Sequence, residues 1–277
     1  MSMETVIRKS LFYRTGVGGE GTYAATHVTG CSHGCRFPCY AFLMMQRFGK
    51  VASYEEWCRP RLVANALQLA QKELPHLRGK AHSIHLSFAT DPFMFGQPEV
   101  VQLTLELMRL INSFDIPVHV LTKGVISEEA LALSRRNVFG ITLVSLDDGF
   151  RTRYEPGTAP YLERVMGLWR AHDRGLRTFV NMEPYPTPNI WQQDVVRILD
   201  AVDFADELRL GRLNYNDAVR QCPGWRAFYL ATGETARQFC KHHHIAYEGI
   251  GAETETRHRR KEPDDADGLF GERPSYS

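Results

Sequence analysis

The sequence predicts an α/β fold built as an open, partial (β/α)6 barrel, and three observations carry that expectation. Apolar, β-branched runs of strand length recur six times, at 23–28, 83–89, 117–123, 139–146, 177–183 and 207–213. The stretches between them have helical period, as in PEVVQLTLELMRLINSF, PYLERVMGLWRAHDRG and WQQDVVRILDAV. The runs are apolar on successive positions, as in parallel strands covered on both faces and joined by right-handed crossovers. Six units fall short of the eight that close a full barrel.

In chain order, the first strand leads into TGCSHGCRFPCY at 29–40. Four-residue spacing would put its cysteines on one helix face, but Gly30, Gly34 and Pro38 disfavour a helix, so the segment reads as a loop. The next stretch, SYEEWCRPRLVANALQLAQKEL, reads as a helix opened by a Ser53–Glu56 capping box, with Pro60 delaying its start. Strands two to six then alternate with helices, the last helix running over 225–243, and IAYEGIG at 245–251 adds a final strand or packs across the barrel bottom. Beyond Ala252 the chain turns to charge, Pro and Gly, which divides it into a barrel over 1–252 and a poorly ordered polar tail over 253–277.

The composition fits an ordinary soluble globular protein: 277 residues, 43% hydrophobic, 23% charged, formal net charge +1. The apolar runs are too short to span a bilayer, and MSMETVIRKS has no apolar centre, so a cytoplasmic location is expected, where disulfides are disfavoured. The near-neutral balance removes the broad electrostatic case for nucleic acid. The arginine pairs 59/61, 151/153 and 209/212 remain candidate phosphate contacts, with solvated surface charge the favoured reading.

Cys31, Cys35 and Cys39 are the chemically informative group. Structural zinc takes four ligands, usually two closely spaced pairs, and no second pair exists here; His33 lies between two of the cysteines, where the loop gives it little freedom. Three thiolates suit a four-iron cluster with one iron lacking a protein ligand. A structural or redox-sensing iron–sulfur or zinc protein is the competing class.

The loop resembles that of the radical S-adenosylmethionine superfamily, in its spore photoproduct lyase-like branch. His33, Phe37 and Tyr40 match the histidine, aromatic and tyrosine of that branch, whereas the second gap, RFP, holds three residues where the branch has two. Further matches are LSFATDPF, VLTKG, VSLDD and EPGTAPYLERV, so the resemblance spans about residues 22–190.

The resemblance implies a [4Fe-4S] cluster on Cys31, Cys35 and Cys39, with S-adenosylmethionine on its open iron. It implies that Tyr40 flanks the adenine or ribose, that Thr90 and Asp91 meet the amino group, and that Lys123 and Ser145 meet the carboxylate. Reduction by an external flavodoxin- or ferredoxin-type donor would then give a 5′-deoxyadenosyl radical that abstracts hydrogen from a substrate. Asn181, Glu183, Arg209, Arg212, Asn214 and Tyr215, on strands five and six, are the candidate substrate residues; Glu183 serves substrate or a structural ion pair, and Cys222 is a candidate hydrogen donor or a plain loop residue. Glu155 is read as a loop cap or brace, Cys58 and Cys240 as small apolar residues, and His242–His244 as a polar helix end. A small molecule, nucleoside or peptide is favoured as substrate. DNA-lesion repair is the alternative, weakened because Phe88 occupies the position of the photoproduct lyase's donor cysteine.

Overall fold

The computed structural model describes residues 3–16 and 18–252. The tail at 253–277 lies outside the described residues. The strands are β1 (Thr5–Val6), β2 (Phe12–Arg14), β3 (Thr22–Ala25), β4 (Val28–Thr29), β5 (Arg61–Val63), β6 (Ser83–Leu86), β7 (Val118–Thr122), β8 (Val138–Thr142), β9 (Arg177–Tyr185), β10 (Glu207–Arg212) and β11 (Ala246–Gly249).

The main sheet has the order β11-β10-β9-β8-β7-β6-β3-β2. Seven of its strands pair in parallel, and β2 closes one edge antiparallel to β3. Its two edge strands, β2 and β11, do not pair with each other, so the sheet is open as expected. All six predicted strands are present, and 245–251 supplies β11 alongside β10.

Strand alternation sorts the side chains between two faces. Ile84, Leu86, Val118, Val120, Phe139, Ile141, Val180, Met182, Leu208 and Leu210 are buried in one core with helix residues such as Leu107, Met108, Ile111, Leu168 and Leu199. Their neighbours, His85, His119, Leu121, Thr142, Phe179, Asn181, Glu183 and Arg209, therefore form the inner face. A largely polar inner face is what a ligand site needs and a packed core excludes. Gly140 is required there, because a Cβ on it would lie 2.3 Å from the Phe179 ring.

The segment read as one helix over 53–74 is three elements. A helix over Tyr54–Trp57 is capped as expected, Glu56 N donating to Ser53 Oγ at 3.2 Å. After Pro60 the chain runs as β5 between β1 and β4, and a second helix covers Ala66–Leu77. Proline lacks the N–H that a continuous helix needs, and the extended segment after it finds its partners across Thr29↔Arg61 and Thr5↔Leu62. The resulting three-stranded sheet holds the start of the cysteine loop. Among the described residues no helix is long and apolar enough to cross a membrane.

Candidate functional site

The cysteine loop follows β4, the short strand just after β3, and is braced from both sides. Cys31 N donates to Trp57 O at 2.8 Å, and Gly30 has φ +79 with its absent Cβ only 2.7 Å from Arg59 O. No larger side chain fits at that crossing. On the other side, Arg36 N donates to Tyr154 O at 2.8 Å and Gly157 N to His33 O at 3.0 Å. A Cβ on Gly157 would approach Ser32 O to 2.2 Å. Phe37, inside the longer second gap, is buried against Phe150 and Tyr154. The additional residue of that gap thus belongs to a segment anchored in the core.

His33 is not available as a ligand. Its Nε2 accepts from Phe95 N at 3.0 Å, which leaves the proton on Nδ1, 3.5 Å from Asp91 Oδ2. Burial brings its pKa down to about 4, so the ring is neutral at neutral pH.

Cys31, Cys35 and Cys39 are free and half-buried. Their charges act on one another: Cys35 and Cys39 both push the Cys31 thiol up, on top of the larger effect of burial, and burial brings Cys35 to about 12 despite the opposing charge of Lys123. Among the described residues no three His, Cys, Asp or Glu side chains are grouped to hold a metal ion. The donor chemistry fits an iron–sulfur cluster nonetheless, with three mutually interacting sulfurs on one loop and a lysine beside one of them. Because Cys31 and Cys35 are held as neutral thiols, loading must expel protons.

Lys123, at the end of β7, has its Nζ 3.5 Å from Cys35 Sγ, 2.5 Å from Glu155 Oε1 and 4.6 Å from the Phe37 ring centroid. Burial works against its charge, yet the Cys35 and Glu155 charges hold its pKa above the usual lysine range. Glu155 joins Lys123 to Arg164. Its Oε2 accepts from Arg164 Nη2 at 3.0 Å and from Tyr161 Oη at 3.2 Å. Arg164 has no exposed surface and also donates to Ala159 O, Thr142 O and Thr158 Oγ1. Burial would raise the Glu155 pKa, but Lys123 and Arg164 bring it down to about 2. Glu155 is therefore more than a loop brace: it is the centre of a buried ion network that fixes Lys123 beside the cysteine loop.

Asp91 and Ser145, expected at the cofactor's amino group and carboxylate, are both engaged within the chain. Asp91 is buried, with Oδ1 accepting from Phe93 N at 2.9 Å and Thr122 Oγ1 at 2.6 Å, and Oδ2 from Lys123 N at 2.7 Å. It ties the loop after β6 to the end of β7 and has little capacity left for an external ammonium. Ser145 is fully buried and accepts from Asp147 N at 3.1 Å, shaping the turn into the helix Asp148–Tyr154. Thr90 Oγ1 lies 3.4 Å from Val28 O. Tyr40 opens the helix Tyr40–Arg47, and its hydroxyl donates to Phe88 O at 2.8 Å.

The candidate substrate residues separate into two groups. Arg209 is paired with Glu207 at 2.6 Å and Glu248 at 3.6 Å, and Arg212 lies over Trp225 while donating to Asn214 Oδ1 at 3.1 Å. Asn181 and Glu183 share the inner face of β9, where Asn181 Nδ2 reaches Glu183 O at 3.5 Å. Glu183 is exposed, contrary to its expected burial inside an apolar strand, because it stands on the face opposite the Val180 and Met182 core. Tyr215 has φ +60 and is 43% exposed. Cys222 is buried at the end of the short helix Asp217–Gln221, its Sγ 3.9 Å from Pro223 O.

Two further features lie near the loop and on the inner face, Cys58 packing as the small apolar residue it was read to be and a histidine pair that sequence reasoning missed. Cys58 is the C-cap of the helix Tyr54–Trp57 and packs, with Cys31 and Cys39, against the small core of Phe42 and Trp57. His85 and His119 stand side by side on the inner face, ring centroids 4.7 Å apart, both brought down to about 4 chiefly by burial. They are register partners across β6 and β7, a pairing the sequence does not print.

No family model matches the sequence. An uncharacterised protein of Acidianus two-tailed virus is 24% identical over 198 residues, covering 68% of this chain and 64% of that protein. A mutant spore photoproduct lyase with bound S-adenosylmethionine and dinucleoside spore photoproduct superposes with a TM-score of 0.60 at 13% identity, covering 88% of this chain and 80% of that one. Streptococcus suis SuiB bound to its precursor peptide SuiA superposes with a TM-score of 0.54 at 12% identity, over 84% of this chain and 49% of that one. The fold is thus the open parallel-sheet barrel of spore photoproduct lyase and SuiB.

Proposed function

We propose that this chain is a radical enzyme that carries a [4Fe-4S] cluster on Cys31, Cys35 and Cys39 and uses S-adenosylmethionine. The observation that carries the reading is the position of the loop. It follows the first parallel strand, β3, by way of the short β4, and Tyr40 and Lys123 tie it to the segments just past the ends of β6 and β7, in a fold shared with a lyase that binds this cofactor. When bound, the cluster and cofactor supply a one-electron cleavage to methionine and a 5′-deoxyadenosyl radical, which takes hydrogen from a substrate.

The chain's own residues prepare that chemistry. Lys123 keeps a positive charge beside Cys35, where negative charge accumulates on loading. Two of its donors reach Cys35 and Glu155, leaving a third for a carboxylate. Glu155 and Arg164 fix its direction, and Asp91 positions its backbone. Tyr40 ties the start of its helix to the Phe88 carbonyl, just past the end of β6.

The electron comes from an external flavodoxin- or ferredoxin-type donor. The substrate is read as a small molecule, since one arginine of each of the three clusters is already paired within the chain: Arg61 with Glu56, Arg151 with Asp148 and Arg209 with Glu207. Anaerobic reconstitution with iron and sulfide tests the reading. About four irons per chain are expected; binding of zinc with no uptake of iron would overturn it.

A further inference from the structure

We infer that Glu183 is the anchor for a cationic group, so that the substrate is an amine or quaternary ammonium compound. The inference rests on the radical-enzyme reading for the reaction, but not for the binding site itself.

The carboxylate is accessible and has neither ion pair nor hydrogen bond among the described residues. Its position is built into the fold. Gly211 faces it from β10, where the pairing with β9 shifts register between Leu210 and Arg212. A Cβ on Gly211 would lie 2.4 Å from Glu183 Cδ and 2.6 Å from Oε2. Only glycine leaves the carboxylate this place against the backbone.

The surroundings favour a cation. Glu183 acts electrostatically on Tyr40, as does Tyr13 from the edge strand. The Tyr40 hydroxyl holds the Phe88 carbonyl, and Tyr40 and Phe88 are 50% and 36% exposed. An unpaired carboxylate on the inner face of the sheet attracts ammonium groups by direct charge interaction. The inner-face arginine, Arg209, is already neutralised by Glu207, and Lys123 by Glu155. Packing of the carboxylate against the strand backbone raises its pKa above the ordinary carboxylate value.

Two sources could present this cation: a substrate, or the cofactor's own ammonium or sulfonium. Saturation-transfer NMR on the full chain, with benzylamine as probe and benzyl alcohol and benzoate as neutral and anionic controls, tests the site without cluster or cofactor. Benzylamine is expected to bind the parent chain and at least tenfold more weakly to Glu183→Gln, with partial recovery in Glu183→Asp. Gly211→Ala, which displaces the carboxylate while retaining it, should give a similar loss with an unchanged circular dichroism spectrum. Equilibrium dialysis of S-adenosylmethionine against the reconstituted Glu183→Gln chain should give affinity within twofold of the parent.

Equal binding of benzylamine and benzoate, no binding of benzylamine, or no effect of Glu183→Gln would each overturn the inference. So would a tenfold loss of S-adenosylmethionine affinity in that variant, which would assign the cation to the cofactor. Failure to load iron would contradict the enzyme reading and leave benzylamine binding unchanged.

Discussion

Replacing Glu155 by alanine is expected to lower the stability of the fold by about 3–5 kcal/mol, the usual consequence of leaving one member of a buried ion pair behind. The stranded member is Arg164, which has no exposed surface and whose Nη2 loses its carboxylate partner while Nη1 and Nε keep the carbonyls of Thr142 and Ala159. Lys123 loses its 2.5 Å partner at the same time. Glu155→Gln should fall between the two, since an amide oxygen still accepts from Arg164 but carries no charge.

The same pair predicts a pH dependence. The Glu155 pKa in the fold, about 2, lies below the ordinary carboxylate value of 4.5. A depressed pKa means the ionised group contributes its full stability above the unfolded value and loses it as pH falls through the folded one. The advantage of the parent chain over Glu155→Gln should therefore be complete at neutral pH and narrow between about pH 4.5 and about pH 2. Denaturant titrations of both chains across that window measure it; an advantage independent of pH would show that charge is not what the carboxylate contributes.

The second large effect concerns metal content. Alanine at Cys35 is expected to reduce reconstituted iron from about four per chain to less than one, because two thiolates cannot retain the cluster. The fold should survive, since Cys35 is half-buried and its sulfur contacts Lys123 at the weak distance of 3.5 Å; the expected change is below about 1 kcal/mol. Cys58→Ala is the informative control. Cys58 shares the Phe42–Trp57 core with Cys31 and Cys39, and Tyr54, whose side chain interacts with it, donates to Cys35 O at 2.8 Å. Full iron content in Cys58→Ala and loss in Cys35→Ala would identify the loop cysteines as the ligands. Comparable losses in both would make Cys58 a ligand and remove the open iron.

The parallel strands were legible because each is an apolar run bounded by helical period, although only the face packed on the helices is core and the other is the largely polar inner face. The small sheet was not, since β1, β4 and β5 are two or three residues long, too short to show any alternation. Pro60 signalled a break, but only pairing with Thr29 and Thr5 makes the following residues a strand. The cysteine loop was readable from its glycines and proline. Its supports were readable only as residues: Glu155, Thr158 and Arg164 all lie in EPGTAPYLERV, yet nothing in the string distinguishes a solvated glutamate nine positions before an arginine from a buried pair. Likewise Asp91 looks like a free strand-end carboxylate until Phe93, Thr122 and Lys123 are seen to occupy it. Glu183 reversed in the other direction, because strand parity places it on the inner face while its apolar neighbours face the helices.

Reductive turnover tests the central claim most directly. The reconstituted chain, reduced anaerobically with dithionite in the presence of S-adenosylmethionine, should accumulate 5′-deoxyadenosine and methionine, and the Cys35→Ala chain should not. A parent chain loaded with iron and sulfide that binds the cofactor yet releases no 5′-deoxyadenosine would contradict the account.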